Sequence, residues 1–540
     1  MSQRIVILGG GFAGLFAARE IKKQLGPTAE VELISEENYF VFQPLLPEVA
    51  AGSITAPHAV TPLRALLKDV FVRKARVHAV DFERRLVTVF QGVQRRPTEV
   101  PYDHLVVALG QVVDLSRMPG LADHALTIKD LEDARHLRNH VIEKLEHAEI
   151  TSLPEVKREA LTFTVVGAGF SGVETVGELK ELIDRSLKFY PNISPDEVRV
   201  VVIEYADRVL GELPESLGRY AKKQLEARGI EIMLGSGVAS ATGTRLTLSD
   251  GTHIPTRTIV ATIGNGPSPV VAAMGLEQEG GRIAVERTLQ AKGHTNVWSI
   301  GDCALIPMKD GASERADFAP PTAQFAVQEA SCLARNIAAY IRHADPAPFA
   351  YKSKGAMASL GARRGVAEVL GIKLSGFPAW LLWRAYYVGF LPGFSTKVRV
   401  MLNWVMDALA ARSVVQLKGN VPAATRFAHY SAGDRIYEAG NRADGVYNIV
   451  SGAVELSHMG EDGRVVTLHL GAGDHFGEGV LFGQDRRRSS VRALEDTKVL
   501  LMEKHTCLRM VDAYPVLKDH ISDHLPALYE VETHTEKRSA

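Results

Sequence analysis

The sequence predicts an α/β chain: two glycine-rich strand–turn–helix units, then an apolar helical segment, then a small antiparallel β-roll. Three observations predict it. The spacing Gly-x-Gly-x-x-Gly occurs twice, at Gly9-Gly10-Gly11-Phe12-Ala13-Gly14 and at Gly167-Ala168-Gly169-Phe170-Ser171-Gly172, each directly after an apolar run. A strongly apolar and aromatic stretch follows near residues 374–412. Over the last hundred or so residues, short alternating runs are punctuated by glycine and aspartate turns.

The first glycine motif follows Arg4-Ile5-Val6-Ile7-Leu8 and opens Leu15-Phe16-Ala17-Ala18-Arg19-Glu20. The second follows Leu161-Thr162-Phe163-Thr164-Val165-Val166 and opens Val173-Glu174-Thr175-Val176-Gly177-Glu178-Leu179. Strand, tight turn and helix in that order distinguish a Rossmann-like dinucleotide loop from a chance match. In such a loop the first glycine makes the turn, the second lets the backbone approach a diphosphate, and the third lets helix and strand pack closely. The diphosphate then sits at the positive end of the helix. Each unit also needs an acid after its second strand to accept from the ribose hydroxyls. In the second unit Val200-Val201-Val202-Ile203 ends in Glu204, whose charge favours NADH over a 2′-phosphorylated nucleotide, with Arg208 nearby as a counterweight. In the first, Val31-Glu32-Leu33-Ile34 runs into Ser35 and then Glu36, so Glu36 is assigned to the ribose with Ser35 as a hydroxyl partner.

A chain of 540 residues is long enough for three or four domains, and 46% hydrophobic residues suffice for globular cores. A formal net charge of -1 with no domain-wide basic stripe argues against nucleic acid as a partner. A strand entered by Arg4 leaves no room for a signal peptide, so a cytoplasmic location is expected. Only Cys303, Cys332 and Cys507 occur, with no Cys-x-x-Cys, so neither a disulfide framework nor a dithiol redox centre is expected. This excludes disulfide reductases and argues against sulfide oxidation. No metal site is expected either.

Tyr102-Asp103-His104-Leu105-Val106-Val107-Ala108-Leu109-Gly110 reads as a buried strand ending in glycine, and Thr258-Ile259-Val260-Ala261-Thr262-Ile263-Gly264 repeats its pattern. The nucleotide-binding unit is therefore duplicated. Val297-Trp298-Ser299-Ile300-Gly301-Asp302 places an acid after a further strand and glycine turn.

With these motifs, roughly the first four hundred residues resemble the type II NADH:quinone oxidoreductases. The resemblance is carried also by Phe42-Gln43-Pro44-Leu45-Leu46-Pro47-Glu48-Val49-Ala50 and by Pro320-Pro321-Thr322-Ala323-Gln324-Phe325-Ala326-Val327-Gln328-Glu329-Ala330. It implies a single-chain FAD enzyme that takes electrons from NADH and gives them to membrane quinone without pumping protons. By that resemblance Gly9, Gly11, Gly14 and Asp302 bind FAD, with Gln43 and Pro44 beside its ring system. Gly167, Gly169, Gly172 and Glu204 hold NADH. Glu174 lies near nicotinamide and flavin, and Gln324 and Gln328 line the quinone approach. Glu174 also admits a plainer explanation, as an acid complementing the dipole of its helix. The two glutamines also admit one, as structural hydrogen-bonding amides. Other readings of the whole are a related flavoprotein with another acceptor and a sensor of nucleotide or redox state.

The stretch from Phe377 to Leu391 is interrupted by Arg384 and falls short of the roughly twenty residues that span a bilayer. After Pro392, Val398, Met401, Leu402, Val405 and Leu409 recur at helical spacing, with Lys397, Arg399, Asn403 and Asp407 elsewhere on the wheel. Such a helix lies in the headgroup region, or forms a dimer or interdomain seam. The resemblance implies both peripheral membrane attachment at the cytoplasmic face and a homodimer.

The C-terminal turns Ala432-Gly433-Asp434, Ala443-Asp444-Gly445, Ser451-Gly452, Asp462-Gly463 and Gly471-Ala472-Gly473-Asp474 follow Lys418-Gly419-Asn420-Val421-Pro422. The roll they imply resembles the cyclic nucleotide-binding domain in Phe476-Gly477-Glu478-Gly479-Val480-Leu481-Phe482-Gly483 and Arg487-Arg488-Ser489-Ser490-Val491-Arg492-Ala493. By that resemblance Glu478 takes the ribose 2′-hydroxyl and Arg487 the cyclic phosphate of cAMP or cGMP, with amides near Gly477 and Ser489 completing an anion cradle. Gly479, where an aliphatic residue is usual, and Arg488, where a small one is usual, depart from the pattern, so a scaffold without ligand stays open. The expected organisation is an FAD-binding domain in two parts (1–115 and 286–371, the second with the quinone-side segment), an NADH-binding domain (116–285), amphipathic helices (372–415) and the cyclic nucleotide-binding-like domain (422–525).

Overall fold

The computed structural model describes residues 2–92, 96–416, 425–460, 464–482, 484–504 and 506–508. The linker 418–422, the Asp462-Gly463 turn, Gly483 and residues 509–525 of the expected last domain lie outside the described residues. Two compact units are formed: Met1–Lys74 with Pro101–Leu417, and Ala75–Val100 with Lys418–Ala540.

In the first unit, β1 (Gln3–Leu8) is followed by α1 (Phe12–Leu25), β2 (Ala29–Ser35) and the short α2 (Leu46–Ala50). β3 (Phe71–Asp81) begins here and runs on into the second unit. There it pairs antiparallel with β4 (Leu86–Gln91), beside which β5 (Arg96–Pro101) stands next in the sheet order. Back in the first unit, β6 (His104–Val107) pairs parallel with β1, with Ile5, Val6, Ile7 and Leu8 opposite His104, Leu105, Val106 and Val107. All eight are buried, as a parallel strand covered on both faces requires.

The second nucleotide unit repeats the arrangement with β7 (Ala125–Leu126), α3 (Leu131–Ile150), β8 (Thr162–Val166), α4 (Phe170–Ser186), β9 (Arg199–Ile203), β10 (Ile230–Met233) and β11 (Thr258–Ala261). Its parallel sheet has the order β7-β11-β8-β9-β10. The chain then returns: β12 (Val297–Ser299) pairs parallel with β6, completing the order β12-β6-β1-β2-β3 of the first sheet within this unit. α5 (Ala323–Ile341) leads to the antiparallel sheet of β13 (Gly355–Ser359), β14 (Gly365–Val369) and β15 (Ile372–Gly376).

Two helices close the unit, α6 (Phe377–Phe390) and α7 (Phe394–Leu409). Among the described residues no helix is long and apolar enough to cross a membrane. α7 buries Thr396, Val400 and Trp404, one turn apart, against the body. Its other face carries Leu402, Val405, Met406 and Leu409 at 54–79% exposure. The stripe read from the sequence is therefore turned outward.

In the second unit the roll comprises β16 (Thr425–Tyr430), β17 (Arg435–Tyr437), β18 (Gly445–Ser451), β19 (Val454–Met459), β20 (Val465–Leu470), β21 (His475–Phe476), β22 (Ser490–Ala493) and β23 (Thr497–Glu503). Two four-stranded sheets, β16-β23-β18-β21 and β17-β22-β19-β20, enclose a core centred on Tyr447, Ile449, Leu456, Phe476 and Val491. The hairpin of β3 and β4 belongs to this unit. Phe90 lies under the Arg486 guanidinium at 5.3 Å, and Arg96 pairs with Glu438 at 3.3 Å.

Candidate functional site

The two glycine loops have the same construction. A Cβ on Gly14 would fall 1.9 Å from the Gly9 carbonyl oxygen, and one on Gly172 the same distance from that of Gly167, so both helix starts pack where only glycine fits. Gly11 and Gly169 face open space, with no neighbouring heavy atom of the described residues within 4 Å of an added Cβ. Neither α1 nor α4 has a side-chain cap or an acid in its first turn. Their first N–H groups are left for an outside acceptor, and the helix dipoles favour an anionic one.

Glu204, at the end of β9, accepts from Ala168 N at 2.6 Å and from Ala206 N at 2.8 Å, which fixes its carboxylate against the second loop. Glu36 is exposed and stands one residue past the end of β2, whose last residue, Ser35, is buried beside Gly10. Asp302 lies in a single turn, Gly301–Cys303, just after β12. That turn returns to the first loop, since a Cβ on Gly301 would meet Ala13 at 2.8 Å. Glu329 of α5, which sequence reasoning passed over, accepts from Gly301 N at 2.7 Å. Burial pushes its pKa up to about 7.

Gln43 and Pro44 form the turn that enters α2, and Gln43 donates to the Lys129 carbonyl at 3.2 Å. Gln324 and Gln328 are half-buried, one turn apart on the first two turns of α5. Ser353 Oγ donates to Gln324 Oε1 at 3.1 Å. Phe12 of the first loop stacks on Phe390 of α6 at 6.0 Å, and Phe42 meets Tyr387 edge-on at 5.6 Å. The end of α6 is thereby seated on the segment that carries Gln43 and Pro44.

Glu174 is 7% exposed and lies in the second turn of α4, beyond reach of a first-turn dipole role. Its Oε1 accepts from Trp383 Nε1 at 2.8 Å and from Ser359 N at 3.1 Å. Burial pushes its pKa up to about 8, so at neutral pH it carries a proton. Two further carboxyls share this interior. Glu48 of α2 lies 3.3 Å from the Arg384 guanidinium and accepts from Trp404 Nε1 at 2.9 Å. Glu178, one turn on from Glu174, lies 3.2 Å from Arg412. Burial raises both above the usual carboxylate range. Arg384 is held between the rings of Trp380 and Trp404 at 4.1 and 4.4 Å. Arg412 also bonds Asp407 at 2.8 Å and the Ala51 carbonyl at 3.3 Å. Sequence reasoning missed Glu48, Glu178, Arg384 and Arg412 as a group. The available signals were the i,i+4 spacing of Glu174 and Glu178 and an arginine inside an apolar run.

In the roll, Glu478, Arg487 and Gly477 come together. Arg487 is 5% exposed and donates to the Gly477 and Gly445 carbonyls at 2.9 and 2.6 Å and to Asp444 at 2.6 Å. The Tyr437 and Tyr447 rings flank it at 4.3 and 5.5 Å. Glu478 is fully buried, and burial raises its pKa. His475 Nε2 lies 3.5 Å from its Oε1. Ser489 is buried at 4%. The Gln484 side chain occupies the space beside Gly479, where a Cβ would meet it at 2.1 Å.

The pyridine nucleotide-disulphide oxidoreductase family profile matches residues 3–330, the NDH2 C-terminal domain profile residues 353–413, and the cyclic nucleotide-binding domain profile residues 427–514. The chain is 32% identical over 425 residues to the type II NADH:quinone oxidoreductase Ndh of Mycobacterium tuberculosis, covering 76% of this chain and 89% of that protein. It is 31% identical over 416 residues to the demethylphylloquinone reductase NdbB of Synechocystis, covering 75% and 96%. The fold matches that of NDH2 from Plasmodium falciparum, solved in complex with NADH, with a TM-score of 0.70 at 19% identity over 77% of this chain and 100% of that one.

Proposed function

The chain belongs to the type II NADH:quinone oxidoreductase family, and from that premise we propose that it is an FAD enzyme that oxidises NADH and reduces a membrane quinone without pumping protons. The observation that carries this reading is the pair of uncapped glycine cradles, each open in front of its middle glycine. FAD fits the first: Gly9, Gly11, Gly14 and Asp302 hold the diphosphate and ribityl side, Glu36 the ribose, and Gln43 and Pro44 the ring. NADH fits the second, at Gly167, Gly169 and Gly172. Glu204 fixes its ribose and disfavours a 2′-phosphate by like charge. The chemistry a bound flavin supplies is two-electron transfer from nicotinamide to quinone. Glu174 keeps a buried proton for that exchange, and Gln324 and Gln328 orient the quinone oxygens.

Replacing both glutamines, Gln324→Leu with Gln328→Leu, is expected to raise the quinone KM or lower turnover by about thirtyfold, since each loses a hydrogen bond worth about 1 kcal/mol. Steady-state kinetics with a soluble quinone measure it, and unchanged constants remove the two residues from the quinone site.

The exposed apolar face of α7, with Lys397 and Arg399 on the same helix, suits an interfacial position. We read the enzyme as a peripheral homodimer on the cytoplasmic face of the membrane, and this exposed face supports the membrane contact. The C-terminal roll is read as a regulatory module for cAMP or cGMP. Glu478 is a fully buried carboxyl, which favours further hydrogen-bond donors, and a ribose hydroxyl supplies one. Arg487 would exchange its Asp444 partner for the cyclic phosphate. Calorimetry is expected to show one site for one of these nucleotides, lost in Arg487→Gln, with a change in quinone reductase rate on binding. No binding of either at about millimolar concentration contradicts the regulatory reading.

A further inference from the structure

The turn between α6 and α7 is fixed to the body. Leu391 is buried, Thr61 Oγ1 donates to the Pro392 carbonyl at 3.2 Å, and the hydroxyls of Thr61 and Thr396 lie 2.7 Å apart. α1 meets the end of α6 here, with Phe16 stacked on Phe390 at 6.1 Å. An open cleft of about 430 Å³ results, whose lining includes Phe16, Arg19, Phe390, Pro392, Phe394 and Lys397 and contains no acid. Arg19 is exposed, with its guanidinium 5.6 Å from the centre of the Phe16 ring. Glu20, the acid next to it in sequence, lies 3.8 Å from Lys23 instead. Lys397 donates to the Gly389 carbonyl at 2.9 Å, which holds the ammonium at the cleft and leaves it two further N–H donors. Among the described residues no carboxylate forms an ion pair with Arg19 or Lys397. Beyond the two cations the surface turns apolar. Phe394 is 82% exposed, and Met401, Leu402, Val405 and Leu409 follow it at helical spacing along the outward face of α7.

We propose that this cleft binds the phosphate of an anionic phospholipid, with Arg19 and Lys397 donating to its oxygens and Phe394 and the outward face of α7 against the acyl chains. The inference rests on the interfacial position of α7 read above, and adds to it the class of lipid and a contact from α1. The order of groups matches that of a phospholipid at an interface, cations at headgroup depth and apolar side chains beyond them. The charges select the class. A zwitterionic lipid brings its own ammonium beside the phosphate, and a cleft with two cations and no acid offers that ammonium only repulsion. An anionic headgroup brings the phosphate alone, and both cations bond it with charge assistance. Because the turn at Pro392 is bonded to the body, the wall that carries Lys397 is formed before the lipid arrives.

The test is co-sedimentation of the full-length, flavin-loaded protein with vesicles of phosphatidylcholine alone and of phosphatidylcholine mixed with phosphatidylglycerol. Wild type is expected to bind the mixed vesicles at least about thirtyfold more tightly, since each of the two cations is worth about fivefold near an anionic surface. Arg19→Gln with Lys397→Gln is expected to lose about that factor on mixed vesicles, with binding to phosphatidylcholine and NADH:ferricyanide activity unchanged. Arg245→Gln with Lys292→Gln, which removes the same charge from exposed positions elsewhere on the unit, is expected to keep the preference. Inorganic phosphate at constant ionic strength is expected to leave the protein on the mixed vesicles. Equal binding of wild type to both vesicles, or equal losses in the two double variants, overturns the cleft as a lipid site while leaving the interfacial reading standing. Release by inorganic phosphate assigns the cleft to a free anion and likewise overturns the lipid. A wild type that binds neither vesicle overturns both the cleft and the interfacial reading.

Discussion

Quinone turnover by Glu174→Gln is expected to fall about a hundredfold, equivalent to about 2.7 kcal/mol of barrier, with a much smaller loss in NADH:ferricyanide activity. The substitution keeps an oxygen for Trp383 Nε1 and Ser359 N to donate to, so the local fold retains both bonds. It removes only the transferable proton. Because burial raises the Glu174 pKa to about 8, the donor form is present at neutral pH and is lost as pH climbs through about 8. Wild-type quinone kcat should fall on that alkaline limb, and the variant should lack it. Stability follows the same sign. The folded pKa lies above the unfolded value, so the folded state binds the extra proton between them and loses stability as pH rises across that interval. Thermal melts of the variant should be flatter between about pH 5 and about pH 8 than those of the wild type. Stopped turnover with no change in pH dependence would assign Glu174 a purely structural role.

Gly14→Val is expected to yield protein without flavin. Its Cβ would overlap the Gly9 carbonyl oxygen, which belongs to the loop backbone and has no rotamer to yield. Either α1 moves away from β1, at a cost of about 3 kcal/mol or more, or the loop deforms. Both outcomes spoil the aligned N–H groups at the start of α1. The ratio of flavin absorbance to protein absorbance reads this directly and should drop at least about tenfold. A variant that purifies with full flavin would remove the first glycine loop from the flavin site.

The nucleotide loops were legible in the sequence because their signals are local. Strand, glycine spacing and helix lie within about twenty residues, and Glu204 and Asp302 lie within three residues of the ends of apolar strands. The carboxyl cluster was not legible, because its bonds join distant positions. Glu174 meets Trp383 209 residues away, Glu178 meets Arg412 across 234, and Glu48 meets Trp404 across 356. Arg384 was read as an interruption of an apolar run, whereas it is a buried cation held between two indoles. Periodicity also found the apolar stripe of α7 without revealing which face the body takes, since Thr396, Val400 and Trp404 have the same helical spacing. The grouping of Ala75–Val100 with the C-terminal roll had no sequence signal, because a hairpin carries no mark of what packs on its face.

The most direct measurement of the central claim is NADH-dependent reduction of a soluble quinone by the purified, FAD-loaded protein, followed at the NADH absorbance band. Rapid turnover, with NADH consumed in proportion to quinone, is the predicted result. Bleaching of the bound flavin by NADH with no continued turnover on adding quinone would contradict it and point to a different acceptor.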